Sequence, residues 1–187
     1  MRRASSGLSG YLHIVAGLRR RVQDLRLGCA DLRDGRIVRP GSDLGTLLSA
    51  TGACRARMEA VTNLMSPGAG GVRWWRSGPG LRYWAANLAA LDRGVTIARV
   101  FICAEVDEQV RALLAEQRAA GVDAVLVSRE DVHPDLQVNL VLWDRRRAWT
   151  ADMNAQGAIV QHVVSADERI VERLGEAFDG CLGSARR

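Results

Sequence analysis

The chain contains no lysine, so all 26 of its basic residues are arginine. This absence excludes chemistry that needs a lysine amine, either as a nucleophile or as the charge that holds a phosphate group. Arginine is accompanied by abundant Ala, Gly, Val and Leu, a composition typical of coding by a GC-rich genome. We therefore interpret the arginines first as a compositional bias.

Cysteine and histidine are scarce, with four and three residues respectively. The cysteines (Cys29, Cys54, Cys103 and Cys181) lie far apart, and no histidine stands at metal-ligand spacing from any of them. A zinc site needs closely spaced pairs of such ligands. We expect no metal, no cofactor, and reduced thiols in a cytoplasmic protein.

Long apolar runs are also missing, which excludes a membrane-spanning helix. The first seven residues begin like a signal peptide. However, His13 and the cluster Arg19-Arg20-Arg21 stand where a signal peptide would have its apolar core, so we expect no secretion.

The net charge of +5 and a pI near 9.7 suggest nucleic-acid binding as one alternative. The arginines are nevertheless spread along the whole chain. The clusters at 19–21 and 145–147 are not interleaved with aromatic residues, as a base-stacking surface would be. Direct binding of nucleic acid is therefore not our leading hypothesis.

The length of 187 residues suits one domain with an extension. Residues 8–27 carry apolar side chains at alternating steps of three and four, which predicts an amphipathic helix. Such a helix would either pair in a coiled coil or pack on its own domain. The polar, turn-rich stretch 30–40 then separates an N-terminal helical extension, 1–41, from a core domain, 42–187.

The core alternates predicted helices with apolar, β-branched strands. Helices are expected at 43–57, 81–92, 106–120 and 166–182, and strands at 58–66, 95–103, 122–127, 140–143 and 158–164. This alternation predicts an α/β fold whose mixed sheet is flanked by helices. The Gly-rich stretch 70–80 is interpreted as a strand fragment or an exposed loop.

A motif then follows in the sequence. Gln137-Val-Asn-Leu-Val-Leu-Trp-Asp144, followed by Ala151-Asp-Met-Asn154, resembles the phospholipase D superfamily motif: His, any residue, Lys, four residues, Asp, six residues, then Gly-Ser-any-Asn. The acid and the final Asn are present, but Gln137 replaces the His and Asn139 replaces the Lys. Arg93 to Phe101 also resembles the RGV-x-x-R strand that precedes this motif in many members.

The resemblance implies a phospholipase D-like fold. It extends to the effector domains of TrmB-like and actinobacterial LuxR-type regulators, which often have a degenerate motif and are joined to a helix-turn-helix. This sequence ends at Arg186-Arg187, where that module usually begins. A DNA-binding partner protein is therefore expected. A homodimer is expected too, since the family commonly builds its site across a two-fold interface.

In that family the His attacks phosphorus and the Lys stabilises the developing charge. Gln137 cannot attack phosphorus, and Asn139 brings no charge. We therefore expect a non-catalytic ligand-sensing or protein-interaction domain with a regulatory, transcription-related role. The alternative is an enzyme with a rebuilt site that uses Asp144, Asp152, His133 or Arg99 on a small molecule.

Gln137 and Asn139 are two apart, so on one strand they would face the same side. They would then form the floor of the former active-site cleft, or lie as solvated residues at a strand edge. The Trp74-Trp75 pair would line a pocket together with arginines, or cover the core. The complete candidate ligand-binding set is Gln137, Asn139, Asp144, Asp152, Asn154, Arg99, Arg73, Trp74 and Trp75.

Overall fold

A computed structural model describes residues 15, 35–41, 43–64, 71–154 and 159–186. The chain divides into two compact units, Met1–Ile37 and Val38–Arg187. The helix predicted at 8–27 lies outside the described residues except for Val15, which is helical. The division into an extension, 1–41, and a core domain, 42–187, stays a prediction. Apart from Arg36 and Ile37, the elements described below belong to the second unit.

From residue 35 onward, the described residues include five α-helices. They are α1 (Leu44–Ala53), α2 (Gly71–Arg76), α3 (Gly78–Asp92), α4 (Glu108–Ala119) and α5 (Glu168–Ala185). Two short 3₁₀ helices, Arg129–Asp131 and Pro134–Leu136, precede the motif strand. Asp43 caps α1, because its side chain accepts from Thr46 N at 3.3 Å. No helix in the described ranges is long and apolar enough to cross a membrane.

Seven strands form one mixed sheet in the order β1-β7-β6-β5-β2-β3-β4. They are β1 (Arg36–Pro40), β2 (Arg57–Leu64), β3 (Thr96–Cys103), β4 (Asp123–Ser128), β5 (Asn139–Trp143), β6 (Arg147–Met153) and β7 (Ile159–Ser165). β3 pairs in parallel with β2 and β4, whereas β5 pairs antiparallel with β2 and β6. β2 is therefore the strand at which the sheet changes direction, and the predicted mixed α/β fold is confirmed.

The two faces of the sheet bury different apolar clusters, because successive side chains of a strand point to opposite sides. On the first face, Met58 and Val141 pack with side chains of α1 to α4. On the second face, Val61 and Leu140 pack beneath Val171 and other residues of α5. The first face also carries Arg99, which is opposite Ala60 in the register of β2 and β3.

Four local expectations are wrong. Residues 71–76 form helix α2, not a strand or loop. The stretch 30–40 is interpreted from the sequence as a turn-rich separator, but residues 36–40 form strand β1. Helix α1 ends at Ala53 and not at Arg57, because the backbone turns extended at Cys54. Helix α3 buries Tyr83, Asn87 and Ala90, while its predicted apolar face is partly exposed, with Leu81 51% exposed.

Candidate ligand-binding site

Gln137 does not lie on the motif strand. It ends the 3₁₀ helix Pro134–Leu136, and β5 begins only at Asn139. Its amide Nε2 donates to the carbonyl oxygens of Arg129 and Val132, at 3.1 and 2.9 Å. The expectation that Gln137 and Asn139 share one side of a strand is therefore wrong. Gln137 stabilises the loop before β5.

Asn139 starts β5 on the first face of the sheet, and its amide is already used. Its Oδ1 accepts from Asn63 N at 3.0 Å, and its Nδ2 donates to Met153 Sδ at 2.9 Å. The Asn63 amide in turn donates to Gln137 O at 2.9 Å and accepts from Arg129 at 2.8 Å. A neutral amide, Asn139, thus stands at the lysine position of the motif, within a hydrogen-bond network that joins β2, β5 and the preceding loop and includes Arg129.

Asp144 begins the tight turn between β5 and β6. Asp144 and Arg145 have φ values of 55° and 48°, which fit the central residues of a type I′ turn, and Arg146 N donates to Trp143 O at 3.0 Å. The carboxylate accepts from the backbone N–H groups of Arg55, Ala56 and Arg57, at 2.9, 2.8 and 3.0 Å. Burial opposes its ionisation, but these backbone donors outweigh that effect and lower the pKa of Asp144 to about 2. The retained motif acid is thereby held in the hairpin.

The other charged candidates lie apart from one another. Asp152 is exposed on β6, where its carboxylate accepts from Gln161 at 3.4 Å. Asn154 directly follows β6 and is half-buried. Arg73 is exposed on α2. None of these three lines the cavity described next.

A cavity of about 350 Å³ lies between the first face of the sheet and helices α1 to α3. We call it the sheet–helix cavity. Its volume is within the range of small-molecule sites, and its walls are mainly apolar. The candidate residues that line it are Asn139, Arg99, Trp74 and Trp75, joined by Leu44, Leu47, Ala60, Val61, Thr62, Asn63, Gly71, Pro79, Tyr83, Leu140, Val141, Trp149, Met153 and Ile159.

Trp74 and Trp75 reach the cavity because α2 is helical. Trp75 is buried at 4% exposure and Trp74 is half-buried, with their rings edge to face at 5.3 Å. The prediction that the two side chains point oppositely assumed an extended backbone. Gly80 makes this arrangement possible, because a Cβ there would lie 1.9 Å from Trp74 O.

Arg99 is fully buried at the cavity wall. Its Nη1 donates to Gln117 Oε1 at 2.5 Å and its Nη2 to Asn87 Oδ1 at 2.8 Å. Its Cζ lies 4.6 Å from the centre of the Trp75 ring. Burial lowers the pKa of Arg99, although a guanidinium remains charged at neutral pH. Among the residues that the structure describes, no carboxylate pairs with it.

Sequence reasoning missed Tyr83, Asn87 and Gln117 as members of this cluster. A signal was present: Tyr83 and Asn87 are four apart within a predicted helix, so they share one face. Gln117 lies on α4, and its position opposite Arg99 depends on the packing of α4 against the sheet. That relationship cannot be inferred from a single sequence.

In the described part of the chain, the cavity lining brings no imidazole to the place of the family's nucleophile. That lining includes no histidine, cysteine or carboxylate. His133 is exposed, and His162 is buried with Nδ1 2.6 Å from Gly41 O. Cys54, Cys103 and Cys181 are buried free thiols. A search of the described side chains finds no cluster of three or more metal-ligating groups.

Neither a family model nor a curated protein matches this sequence. Solved structures do match its fold. The phospholipase D family member Nuc from Salmonella typhimurium is 15% identical with a TM-score of 0.58, covering 81% of this chain and 97% of Nuc. The archaeal chromatin protein TrmBL2 is 12% identical with a TM-score of 0.54, covering 95% of this chain and 65% of TrmBL2.

Polyphosphate kinase from Porphyromonas gingivalis is a third similar structure, 15% identical with a TM-score of 0.50, covering 78% of this chain and 26% of the kinase. At these identities the similarity concerns the fold. The chain therefore has a phospholipase D-like fold: a mixed seven-stranded sheet flanked by helices on both faces.

Proposed function

We propose that this chain is a non-catalytic, cytoplasmic regulatory domain that senses a small molecule in the sheet–helix cavity. The observation that carries the proposal is the cavity itself: a site of about 350 Å³ whose described lining offers apolar and hydrogen-bonding groups but no histidine, cysteine or carboxylate. The degenerate motif supports the absence of catalysis, because Gln137 and the amide of Asn139 are held in structural hydrogen bonds.

A fluorescence titration tests the proposal directly. Trp74, Trp75 and Trp149 line the cavity, so a bound aromatic probe should quench their emission. We expect 1-anilinonaphthalene-8-sulfonate to bind with one-to-one stoichiometry. Thr62→Phe, which adds a ring to the lining, should weaken binding at least tenfold. Val160→Phe adds the same ring at an exposed position of β7 and should bind as the wild type does.

Equal binding by the wild type and Thr62→Phe would contradict the proposal, because the probe would then lie elsewhere. Mass spectrometry of the denatured protein provides a second readout. A small molecule that copurifies with the wild type should be lost from Thr62→Phe and retained by Val160→Phe.

The regulatory part of the proposal, including a DNA-binding partner protein and a homodimer, is supported by the similarity to TrmBL2, a chromatin protein described as binding DNA. The dimer is tested by light scattering at micromolar concentration. A monomer at that concentration would count against it.

Direct nucleic-acid binding is the second candidate, favoured by the net charge of +5 and by the same neighbour. Phosphate contacts release counterions, so a genuine DNA affinity must fall steeply with salt. Fluorescence anisotropy with a labelled duplex at 50 and 200 mM salt distinguishes the two candidates. A flat salt dependence would reject this second function.

A further inference from the structure

The end of the sheet–helix cavity at Arg99 has an unusual set of unpartnered donors. Trp75, Tyr83 and Arg99 all belong to the cavity lining. In the part of the chain that the structure describes, their buried atoms Trp75 Nε1, Tyr83 Oη and Arg99 Nε have no hydrogen-bond partner. Buried polar groups without partners are rare in folded proteins, since each costs about 1–3 kcal/mol. Three of them at one cavity wall indicate a site that is completed by something other than the protein.

The chemistry of these groups specifies what completes it. An indole N–H and a guanidinium N–H can only donate hydrogen bonds. Burial raises the pKa of Tyr83, so its hydroxyl also remains protonated and able to donate. Asn87, Arg99 and Thr51 lie close enough to favour the tyrosinate, but none makes a hydrogen bond to the hydroxyl. The missing group must therefore be a hydrogen-bond acceptor.

Charge narrows the choice further. Arg99 has two neutral amides as its only hydrogen-bond partners, Asn87 and Gln117. Moving an unpaired charge out of water is costly unless an opposite charge accompanies it. The other arginines of α2 do not contribute a second charge to the cavity, since Arg73 is exposed and Arg76 pairs with Glu116 at 2.6 Å. One uncompensated positive charge matches a single negative charge.

The remaining walls determine the body of the ligand. Leu44, Leu47, Val141, Trp149 and Ile159 surround the rest of the cavity with apolar surface. Asn139 also lines the cavity, but both its amide atoms already have partners. The unpartnered donors of Trp75, Tyr83 and Arg99 therefore call for a single polar head group on the ligand.

We propose that the sheet–helix cavity binds a monocarboxylate with an apolar aliphatic or aromatic body, whose carboxylate is held by Arg99, Tyr83 and Trp75. This inference rests on the proposed ligand-sensing function and assigns the chemical class of its ligand. A carboxylate pairs with the guanidinium and accepts from the two neutral donors, so it satisfies the charge and the hydrogen bonds together.

Matched probes that differ only in the head group test the proposal. Octanoate, octan-1-ol and octylamine form an aliphatic series, and 3-phenylpropanoate, 3-phenylpropan-1-ol and 3-phenylpropylamine form an aromatic one. Binding is followed by tryptophan fluorescence at pH 7.5. In at least one series the acid should bind at least tenfold more tightly than the alcohol, and the amine should bind most weakly.

Two variants connect that preference to the named donors. Tyr83→Phe removes only a hydroxyl that has no partner, so the fold should be retained and the affinity for the acid should fall three- to tenfold, with the alcohol unaffected. Arg99→Met should abolish the preference for the acid. Arg82→Met removes an exposed arginine on the same helix as Tyr83 and controls for net charge; it should leave the preference intact.

The outcomes separate this inference from the function on which it rests. If acid and alcohol bind within threefold of each other in both series, the cavity is a ligand site but carboxylate recognition is wrong. If Tyr83→Phe and Arg82→Met behave alike, the named donors do not hold the head group. If no probe of either series binds and no small molecule copurifies, both proposals are overturned.

Discussion

Asp144 and Arg57 are hydrogen-bonded in both directions. Asp144 N donates to Arg57 O at 2.8 Å, and Arg57 N donates to Asp144 Oδ1 at 3.0 Å. This reciprocal pair joins the β5–β6 turn to the start of β2. The same carboxylate also accepts from the backbone of Arg55 and Ala56. Asp144 therefore anchors the hairpin to the strand at which the sheet changes direction.

We expect Asp144→Asn to lower the free energy of unfolding by about 1–2 kcal/mol at pH 6, after allowance for solvent screening. Asn tolerates the positive φ but loses the charge that the three backbone donors stabilise. The pKa of Asp144 is about 2 in the folded protein, below the ordinary value of an aspartate, so its contribution is present above about pH 4 and lost as pH falls toward 2.

Urea unfolding of both proteins at pH 6 and pH 3 measures this effect. The difference in unfolding free energy between wild type and Asp144→Asn should narrow at pH 3. A difference that stays constant over this range would show that the charge of Asp144 contributes nothing to stability.

Arg145 connects β2 with helix α5. It contacts Glu59 through two hydrogen bonds, at 2.9 and 3.1 Å, and Asp179 through one at 2.6 Å. The Glu59 side chain is only 7% exposed and also pairs with Arg57, so Arg145→Met should destabilise the protein by about 1–2 kcal/mol. Asp179→Asn should cost under about 1 kcal/mol, because Asp179 is half-exposed.

Adding Glu59→Gln to Arg145→Met should restore part of the lost stability, since a neutral amide needs no counterion. Thermal or urea unfolding of the two single variants and the double variant measures this coupling. Strictly additive losses would mean that the pair does not interact energetically.

Gly80 allows α3 to begin directly against the end of α2. Gly80→Ala would place a methyl group 1.9 Å from Trp74 O, so the junction must open and Trp75 must lose part of its burial. We expect a loss of at least about 3 kcal/mol and a red shift of the tryptophan emission. Gly78→Ala is the matched control, because no heavy atom lies within 4 Å of its added Cβ, and it should be neutral within about 0.5 kcal/mol.

Restoring the motif residues should not restore phosphodiesterase activity. In Gln137→His/Asn139→Lys, the new imidazole would start from a loop position outside β5, where Gln137 now contacts backbone carbonyls. Both the wild type and the double variant should hydrolyse bis(p-nitrophenyl) phosphate no faster than buffer alone does. An active nuclease of this fold serves as the positive control. Turnover by the double variant that scales with protein concentration would contradict this expectation.

The sheet could be predicted because its strands are continuous apolar runs, such as Val95–Cys103, which a helix-covered sheet requires. Helix α2 could not be predicted, because its Trp residues favour strands and its Gly residues favour turns. Its helical form depends on burial of Trp75 against Phe101 and Tyr83, which are distant in sequence or on another helix. Tertiary packing therefore overrides local preference in this segment.

The candidate site was predicted only in part. Arg99, Asn139 and the two tryptophans do line one cavity, whereas Gln137, Asp144 and Asp152 stabilise loops, turns or surface. The spacing of a motif indicates which residues occupy given positions, but not where a strand begins. The orientation of α3 was also missed, since burial of Asn87 is stabilised by Arg99 across the sheet–helix interface.

The hydrogen bonds of Asp144 have a consequence for recognising related proteins. Because that acid secures the β5–β6 hairpin, evolution can discard hydrolysis and still conserve an aspartate at this spacing. In a relative with unknown activity, its presence would then report that the hairpin is intact. Whether such a relative can react with phosphorus would have to be judged from the residues that correspond to Asn139 and Gln137, five and seven positions before the aspartate.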